Sequence, residues 1–224
     1  PYTSGFEFKL LPKFTGTTAE RRAQFVKHLL SIEPVKTTEE YAYSNGGDSI
    51  SALMLEKASG KTWEQLVNEI LKQKLRLNYS FGWPNKIAPG EPWGHWIENG
   101  VLTPLPPGHS YNLDLIEPAG DISMPIHDYA EFIRLNVEGL ANKDNFLKAA
   151  TYQYLHFGLK SYSIGWSNSQ HFSEHVGSAG TFYTYTLIDS KKNRGYIIMA
   201  NTATEEATKA IFQLVDILIQ VQAY

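Results

Sequence analysis

Tyr43 and Asn45 set a phenol and a carboxamide two residues apart, and Gly46-Gly47 follow at once. On an extended chain alternate side chains share a face, so Tyr43 and Asn45 would point the same way. The two glycines let backbone come close to a bound molecule. Far downstream, His175-Val176-Gly177-Ser178-Ala179-Gly180 forms a second polar, glycine-rich stretch. Two such stretches suit acyl transfer to a serine, with Tyr43 taking the nucleophile's proton. A phenol has an ordinary pKa of about 10, so it acts as a base near neutrality only where neighbouring cations favour the phenolate. His175 could supply part of that field or hydrogen-bond the tyrosine oxygen, and Asn45 could hold the substrate's amide. Gly177 would let a strand's backbone approach, and a backbone N–H near Ser178 would contribute to an oxyanion hole. The plainer alternative is an aromatic turn entering a surface helix, with His175 a loop histidine in a polar turn.

His171-Phe172-Ser173-Glu174-His175 offers a rival chemistry, because H-x-x-E-H is the spelling of one class of zinc peptidases. The spelling works only on a helix, where residues i and i+4 share a face. Serines, asparagine and glycines flank it here and argue against a helix, and a third ligand would have to come from Glu205, Glu206 or another region. No metal and no cofactor is therefore expected.

The elements that must position these residues are partly legible. Thr17-x-x-Glu20 is a capping box opening a helix with Ala19, Ala23, Val26 and Leu30 on one stripe, ended by Pro34. Asp48 is read as the N-cap of a helix that runs to Ser59 and closes at Gly60. Thr62-x-x-Gln65 caps the next, with Trp63, Leu66, Val67, Ile70 and Leu71 inward. From Asn78 to Ser123 prolines, glycines and tryptophans crowd together, and strands are expected only at Val101–Leu105 and Tyr111–Ile116. Trp93 and Trp96 line a groove or pin this long loop. Pro118-Ala119-Gly120 is a turn before a helix near Pro125–Glu138, closed by Gly139, and another helix follows from about Asp144 to Leu155. The last third predicts strands at Tyr162–Trp166, Thr181–Asp189 and Gly195–Ala200. Thr202-x-x-Glu205 caps a final helix packing through Ala207, Ile211, Leu214, Leu218 and Val221. So thin a sheet leaves an edge that wants another strand. The expected division is a mainly helical region over residues 1–155 and a β-meander with its helix over residues 156–224, together one incomplete catalytic domain.

Composition narrows the classes. A net charge of −3 and a pI near 6.2 give no electrostatic case for nucleic acid. The absence of cysteine excludes disulfides, thiol nucleophiles and thiolate metal sites. No apolar run approaches the roughly 18 residues that span a bilayer.

Several stretches, in order, resemble the serine β-lactamase and penicillin-binding protein superfamily, especially its class C-like branch of D-alanyl-peptidases, esterases and lactamases. Tyr43-Ser44-Asn45 resembles the second motif, Tyr-x-Asn, and Leu55-Glu56-Lys57-Ala58-Ser59-Gly60-Lys61-Thr62-Trp63 the segment after it. Pro118-Ala119-Gly120-Asp121-Ile122-Ser123, leading to Asp128-Tyr129-Ala130-Glu131-Phe132, is similar to the family's Pro-Ala-Gly-Gly turn and helix. Tyr162-Ser163-Ile164-Gly165-Trp166 and His175-Val176-Gly177 resemble the penultimate strands and third motif, where histidine often replaces the lysine of Lys-Thr-Gly. Gly47-Asp48 departs from the commoner apolar–aromatic pair at that place.

The first motif, Ser-x-x-Lys, occurs nowhere in the 224 residues. Thr3-Ser4-Gly5 looks like a Thr-Ser-Gly that such proteins carry well after it. The resemblance therefore implies a chain that begins partway through the family's domain, lacking the first helix, two strands and the serine helix. It implies an α/β fold of the α+β type: an antiparallel sheet flanked by helices plus a mainly helical region, a partial β-lactamase-like fold. The implied function is hydrolysis of amide or ester bonds through an acyl-enzyme, the nucleophile coming from a complementary N-terminal segment. The implied catalytic residues are Tyr43, Asn45 and His175, with Gly177 and Ser178 binding a small-molecule or peptide substrate. Carboxypeptidase, esterase and lactamase remain open, the implied location is periplasmic or extracellular, and the alternative is a non-catalytic peptide- or cell-wall-binding relative that keeps the groove.

Overall fold

Thr17 opens the first helix through a reciprocal pair. Its hydroxyl accepts from the Glu20 N–H at 3.3 Å, and Glu20 Oε2 accepts from the Thr17 N–H at 2.8 Å. The computed structural model describes residues 11–33, 43–110 and 112–221. Its helices are α1 (Thr18–Leu29), α2 (Asn45–Ser59), α3 (Trp63–Val67), α4 (Pro84–Ile87), α5 (Ile126–Leu140), α6 (Ala149–Phe157) and α7 (Glu205–Val221). Its strands are β1 (Ser80–Phe81), β2 (His95–Glu98), β3 (Val101–Pro104), β4 (Ile122–Ser123), β5 (Ser167–Ser169), β6 (Phe172–Ser178), β7 (Tyr183–Asp189) and β8 (Arg194–Ala200). Two compact units result: Pro1–Arg76 with Ser110–Ile122, and Leu77–His109 with Ser123–Tyr224. Within the second unit, α5 and α6 pack with the sheet.

The first unit is built around a charge. The buried face of α1 is Arg22, Phe25, Val26 and Leu29; of the expected stripe Val26 is buried, Ala19 and Ala23 are partly covered, and Leu30 is exposed. Arg22 hid this face from a reading by hydropathy. It is 1% exposed, and its guanidinium meets Glu56 Oε1 at 3.2 Å, Glu64 Oε1, and Glu117 Oε2 at 3.6 Å. A guanidinium cannot shed its proton, so burial demands carboxylates around it. Phe25 and Leu29 pack with Ile116 beneath Phe14 and Leu113. Residues Asp114–Ala119 form a 3-10 turn where a strand over Tyr111–Ile116 was expected; Leu113 and Ile116, three apart, bury one side, and Tyr111 lies outside the described residues. Pro34 also lies outside them.

The start of α2 differs from the expected one. Ser44, extended at φ −151° and ψ 108°, is the N-cap, and its Oγ accepts from the Gly47 N–H at 3.1 Å. Gly46, Gly47 and Asp48 thus belong to the first turn, and Asp48 caps nothing; an acidic group there suits the helix dipole. Gly60 closes the helix in the left-handed region at φ 70°, as expected, donating to Glu56 O at 2.9 Å. Thr62 and Gln65 form the second capping box, and α3 widens into π-turns over Asn68–Lys74.

The second unit is a four-stranded antiparallel meander, β5-β6-β7-β8, with α5 and α6 on one face and α7 on the other. Alternation along β7 sorts the faces: Tyr185 and Leu187 join Ile211 and Val215 of α7, whereas Ile188 joins Ile133, Leu140, Tyr152 and Trp166. The expected strand over Tyr162–Trp166 is instead a turn, closed by the Ser163 N–H donating to Trp166 O at 2.8 Å with Gly165 at φ 80°. The long loop contains the β2–β3 hairpin, which supplies the strand expected at Val101–Leu105. His95 N–H donates to Asn201 O at 2.8 Å and Asn201 Nδ2 to Trp93 O at 3.0 Å, so this loop is pinned to the end of β8.

Helix ends in this unit shift for local reasons. Gly139 does not close α5, which runs on to Leu140. Asp144 lies ahead of α6 and caps it from outside, accepting from the Ala149 N–H at 2.9 Å. Thr204, not Thr202, caps α7 by accepting from the Ala207 N–H at 3.3 Å. α7 buries Ile211 and Val215, with Leu218 and Ile219 partly covered, while Leu214, Ile217 and Val221 are 43%, 53% and 65% exposed. The expected packing role of Leu214 and Val221 is thereby corrected.

Candidate functional site

Tyr43 and Asn45 stand at the entrance to α2 in the first unit. Tyr43 is 47% exposed and precedes the Ser44 cap, while Asn45 is the first helical residue. The chain is extended through Ser44 and helical from Asn45, so the strand geometry expected of Tyr-x-Asn does not hold at its last residue. Burial of Ser49, whose Oγ donates to Leu115 O at 2.9 Å, anchors the first turn of α2 against the 3-10 segment.

His175, Gly177 and Ser178 are gathered on β6 in the second unit. His175 pairs with Thr186 of β7, Gly177 with Thr184 and Ser178 with Tyr183. His175 and Gly177 share one face by the alternation of the strand. A Cβ placed on Gly177 would lie 4.0 Å from His175 Nε2 and 3.9 Å from Thr184 Cβ, so the absence of a side chain leaves that nitrogen uncovered from this direction. On the same face, the Tyr129 hydroxyl shares a 2.9 Å hydrogen bond with Thr186 Oγ1, and burial pushes the Tyr129 phenol up from its ordinary value. Ser178 Oγ accepts from the Gly180 N–H at 3.3 Å, which ties the hydroxyl into the β6–β7 turn.

The zinc alternative fails on geometry. His171 lies in the turn before β6 and His175 within the strand, and four residues of extended chain span roughly 13 Å, far beyond two bonds to one ion. His171 Nε2 instead faces Asp189 Oδ1 at 3.8 Å. Among the described residues no group of three His, Asp or Glu side chains could hold a metal ion.

The residues that support His175 were not foreseen. His156, fully buried on α6, is hydrogen-bonded at Nδ1 by Ser173 Oγ at 2.7 Å and at Nε2 by Asn136 Oδ1 at 3.0 Å. Burial pulls its pKa down to about 4, so it stays neutral near neutrality. Its ring lies 4.2 Å from that of Trp166, whose edge meets His175 at 5.8 Å. A sequence signal did exist: Asn136 stands between Ile133 and Val137 on the core side of α5, and Ser173 shares the phase of His175 on β6. A polar residue at a core phase calls for a partner.

Residues 2–218 match the family model described as Beta-lactamase. Protein flp of Staphylococcus aureus (strain NCTC 8325 / PS 47) is 23% identical over 226 residues, covering 95% of this chain and 44% of that protein. The chain thus spans less than half the length of this relative. The octameric penicillin-binding protein homologue from Pyrococcus abyssi superposes with a TM-score of 0.67 at 18% identity, over 89% of this chain and 47% of that one. FmtA from Staphylococcus aureus gives 0.68 at 17% identity, over 93% and 59%. A class C beta-lactamase mutant gives 0.65 at 17% identity, over 91% and 64%. The structural likenesses establish the shared fold. With the family model running through nearly its whole length, the chain belongs to the Beta-lactamase family, within the superfamily of serine β-lactamases and penicillin-binding proteins.

Proposed function

We propose that this chain supplies the groove walls and the proton-handling residues of a serine hydrolase that cleaves amide or ester bonds through an acyl-enzyme. The observation that carries the reading is β6, where His175 and the bare Gly177 share a face on a family-matched fold. In this reading a serine attacks the substrate carbonyl while Tyr43 accepts its proton. Asn45 holds the substrate's amide, and a backbone N–H near Ser178 stabilises the oxyanion. Tyr43 passes the serine's proton to the departing amine or alcohol as the acyl-enzyme forms; it then takes a proton from the attacking water and returns it to the serine oxygen as the acyl group leaves as the free acid. Peptidoglycan stem peptide and β-lactam are the substrate classes the family suggests, and a periplasmic or extracellular location goes with them.

The serine and its lysine, in this proposal, come from a segment outside the 224 residues. Two features of the second unit support a covering element. Among the described residues β8 pairs with β7 alone, leaving its other edge without a strand. The flank of α7 bearing Ala210, Leu214, Ile217 and Val221 is exposed and apolar. At about 100° per residue this flank lies opposite Phe212 and Asp216, which overhang β6 and β7. It therefore projects on the β8 side, and a helix apolar on two flanks is one meant to be covered twice.

Labelling tests the reading. The natural polypeptide, or this chain combined with its Ser-x-x-Lys segment, is incubated with a fluorophosphonate or a labelled β-lactam and read by intact mass. An adduct on the serine of that segment is expected. Its absence from a preparation shown to contain both parts would favour a non-catalytic peptide- or cell-wall-binding protein instead.

A further inference from the structure

His175 Nδ1 lies 2.8 Å from the carbonyl oxygen of Gly165. A carbonyl only accepts, so Nδ1 carries a hydrogen in either charge state of the ring. We infer that Gly165 and Trp166 lock the tautomer and ring plane of His175, presenting Nε2 over Gly177 as a hydrogen-bond acceptor whenever the ring is neutral. The ligand group recognised there is a donor, a hydroxyl or amide N–H, and not a carboxylate. This makes the third-motif position the reverse of a lysine, which can only donate.

The lock is rigid because each part is tied elsewhere. The Gly165 turn is held to the end of α6 by Ser163 Oγ donating to Tyr154 O at 2.7 Å and Ile164 N–H donating to Leu155 O at 3.0 Å. Trp166 is buried between His175 and His156. His156 cannot swing, since Asn136 Nδ2 donates to Phe132 O at 2.7 Å and thereby turns Oδ1 toward His156 Nε2. That nitrogen therefore bears the hydrogen, and Nδ1 accepts from Ser173 Oγ. The two histidines hold opposite tautomers on either side of one indole. Trp166 and His156 are positioning residues; only His175 is offered to a ligand.

The catalytic use of His175 rests on the function proposed above, whereas its tautomer does not. Long-range proton–nitrogen correlation spectra of the full natural polypeptide, labelled with 15N-histidine, read both nitrogens directly. Once the spectra show the ring in its neutral state, His175 is expected as a pure Nδ1–H form with a pyridine-like Nε2. An Nε2–H form, or shifts averaged between the two nitrogens, overturns the inference. Trp166→Leu should bring the two His175 nitrogen shifts toward one another; a folded variant with unchanged shifts removes Trp166 from the lock. The wild-type spectrum decides the Gly165 part whether or not that variant folds. A locked Nδ1–H form without a serine adduct would sink only the hydrolase reading, and an adduct with averaged shifts would sink only the lock.

Discussion

Gly139 lies so close under the Tyr152 ring that a Cβ on it would come within 2.0 Å of Cδ2. The ring cannot retreat, because its hydroxyl donates to Asn145 Oδ1 at 2.7 Å and its face belongs to the core with Ile133 and Trp166. Gly139→Ala should therefore force α5 and α6 apart. Overpacking of this kind costs about 1–3 kcal/mol, and backbone displaced by a ring contact belongs at the upper end. A denaturant midpoint unchanged by the substitution would contradict the close approach.

The same glycine shows why parts of the fold escaped the sequence. Gly at the end of an apolar period reads as a helix terminator, and only tertiary contact reveals that it makes room for a ring. Capping boxes at Thr17 and Thr62 and the Gly60 stop are local, and they were legible because their partners lie within four residues. Arg22, His156 and Trp166 were not, since each is defined by partners far along the chain. The stretch on β6 was singled out by its polar, glycine-rich composition and by resemblance; the turn that orients His175 was mistaken for a strand because Tyr162, Ile164 and Trp166 alternate.

Glu117 gives the first unit an unusual response to pH. Burial raises its carboxyl to about 7, against the opposing pull of Arg22. A raised acid binds a proton in the folded state that the unfolded chain has released. Stability from this group is greatest below about 4.5 and is lost as pH rises toward about 7, by no more than about 3 kcal/mol given the partial exposure of the side chain. Glu117→Gln should flatten that decline and raise the unfolding midpoint above neutrality. A variant less stable than wild type at pH about 8 would show that Arg22 needs the third charge.

His156 imposes the opposite slope on the second unit. Its folded pKa, lowered to about 4, lies below the ordinary histidine value of about 6.5. The unfolded chain takes up the proton first, so stability is full above about 6.5 and falls by up to about 3 kcal/mol as pH drops toward 4. Chemical denaturation followed across that window by tryptophan fluorescence should show the loss. Ser173→Ala removes the donor to Nδ1 and should cost about 1–3 kcal/mol at neutral pH, because a buried acceptor is left without a partner. If His156 instead titrates near 6.5 by proton NMR, the buried network is not closed.

The exposed flank of α7 separates a covered surface from an idle one. Leu214 and Ile217 are 43% and 53% exposed, so Leu214→Ser with Ile217→Ser should lower this chain's own stability by only about 0.5 kcal/mol for each change. Association with the segment carrying Ser-x-x-Lys should weaken at least tenfold, since about 1.4 kcal/mol already corresponds to that factor and two buried aliphatic side chains exceed it. Pull-down or calorimetric titration of the separately produced segment gives the number. Equal affinity for both forms would remove α7 from the contact and leave the β8 edge as its remaining support.

Tyr43 supplies the sharpest test of the chemistry, because its side chain is half exposed and its loss need not disturb the fold. Tyr43→Phe keeps the ring and deletes the proton acceptor. If Tyr43 is the general base, the acylation rate should fall about 10²–10⁴-fold, the range typical of such a group. Asn45→Ala should act differently: it opens α2 beside an intact Ser44 cap and removes a substrate contact, so weaker substrate binding should accompany any loss of rate. Burst kinetics with an ester that releases a chromophore distinguish the two. Should Tyr43→Phe acylate at the wild-type rate, the proton must leave by another route, and the lysine of the Ser-x-x-Lys segment becomes the group to examine.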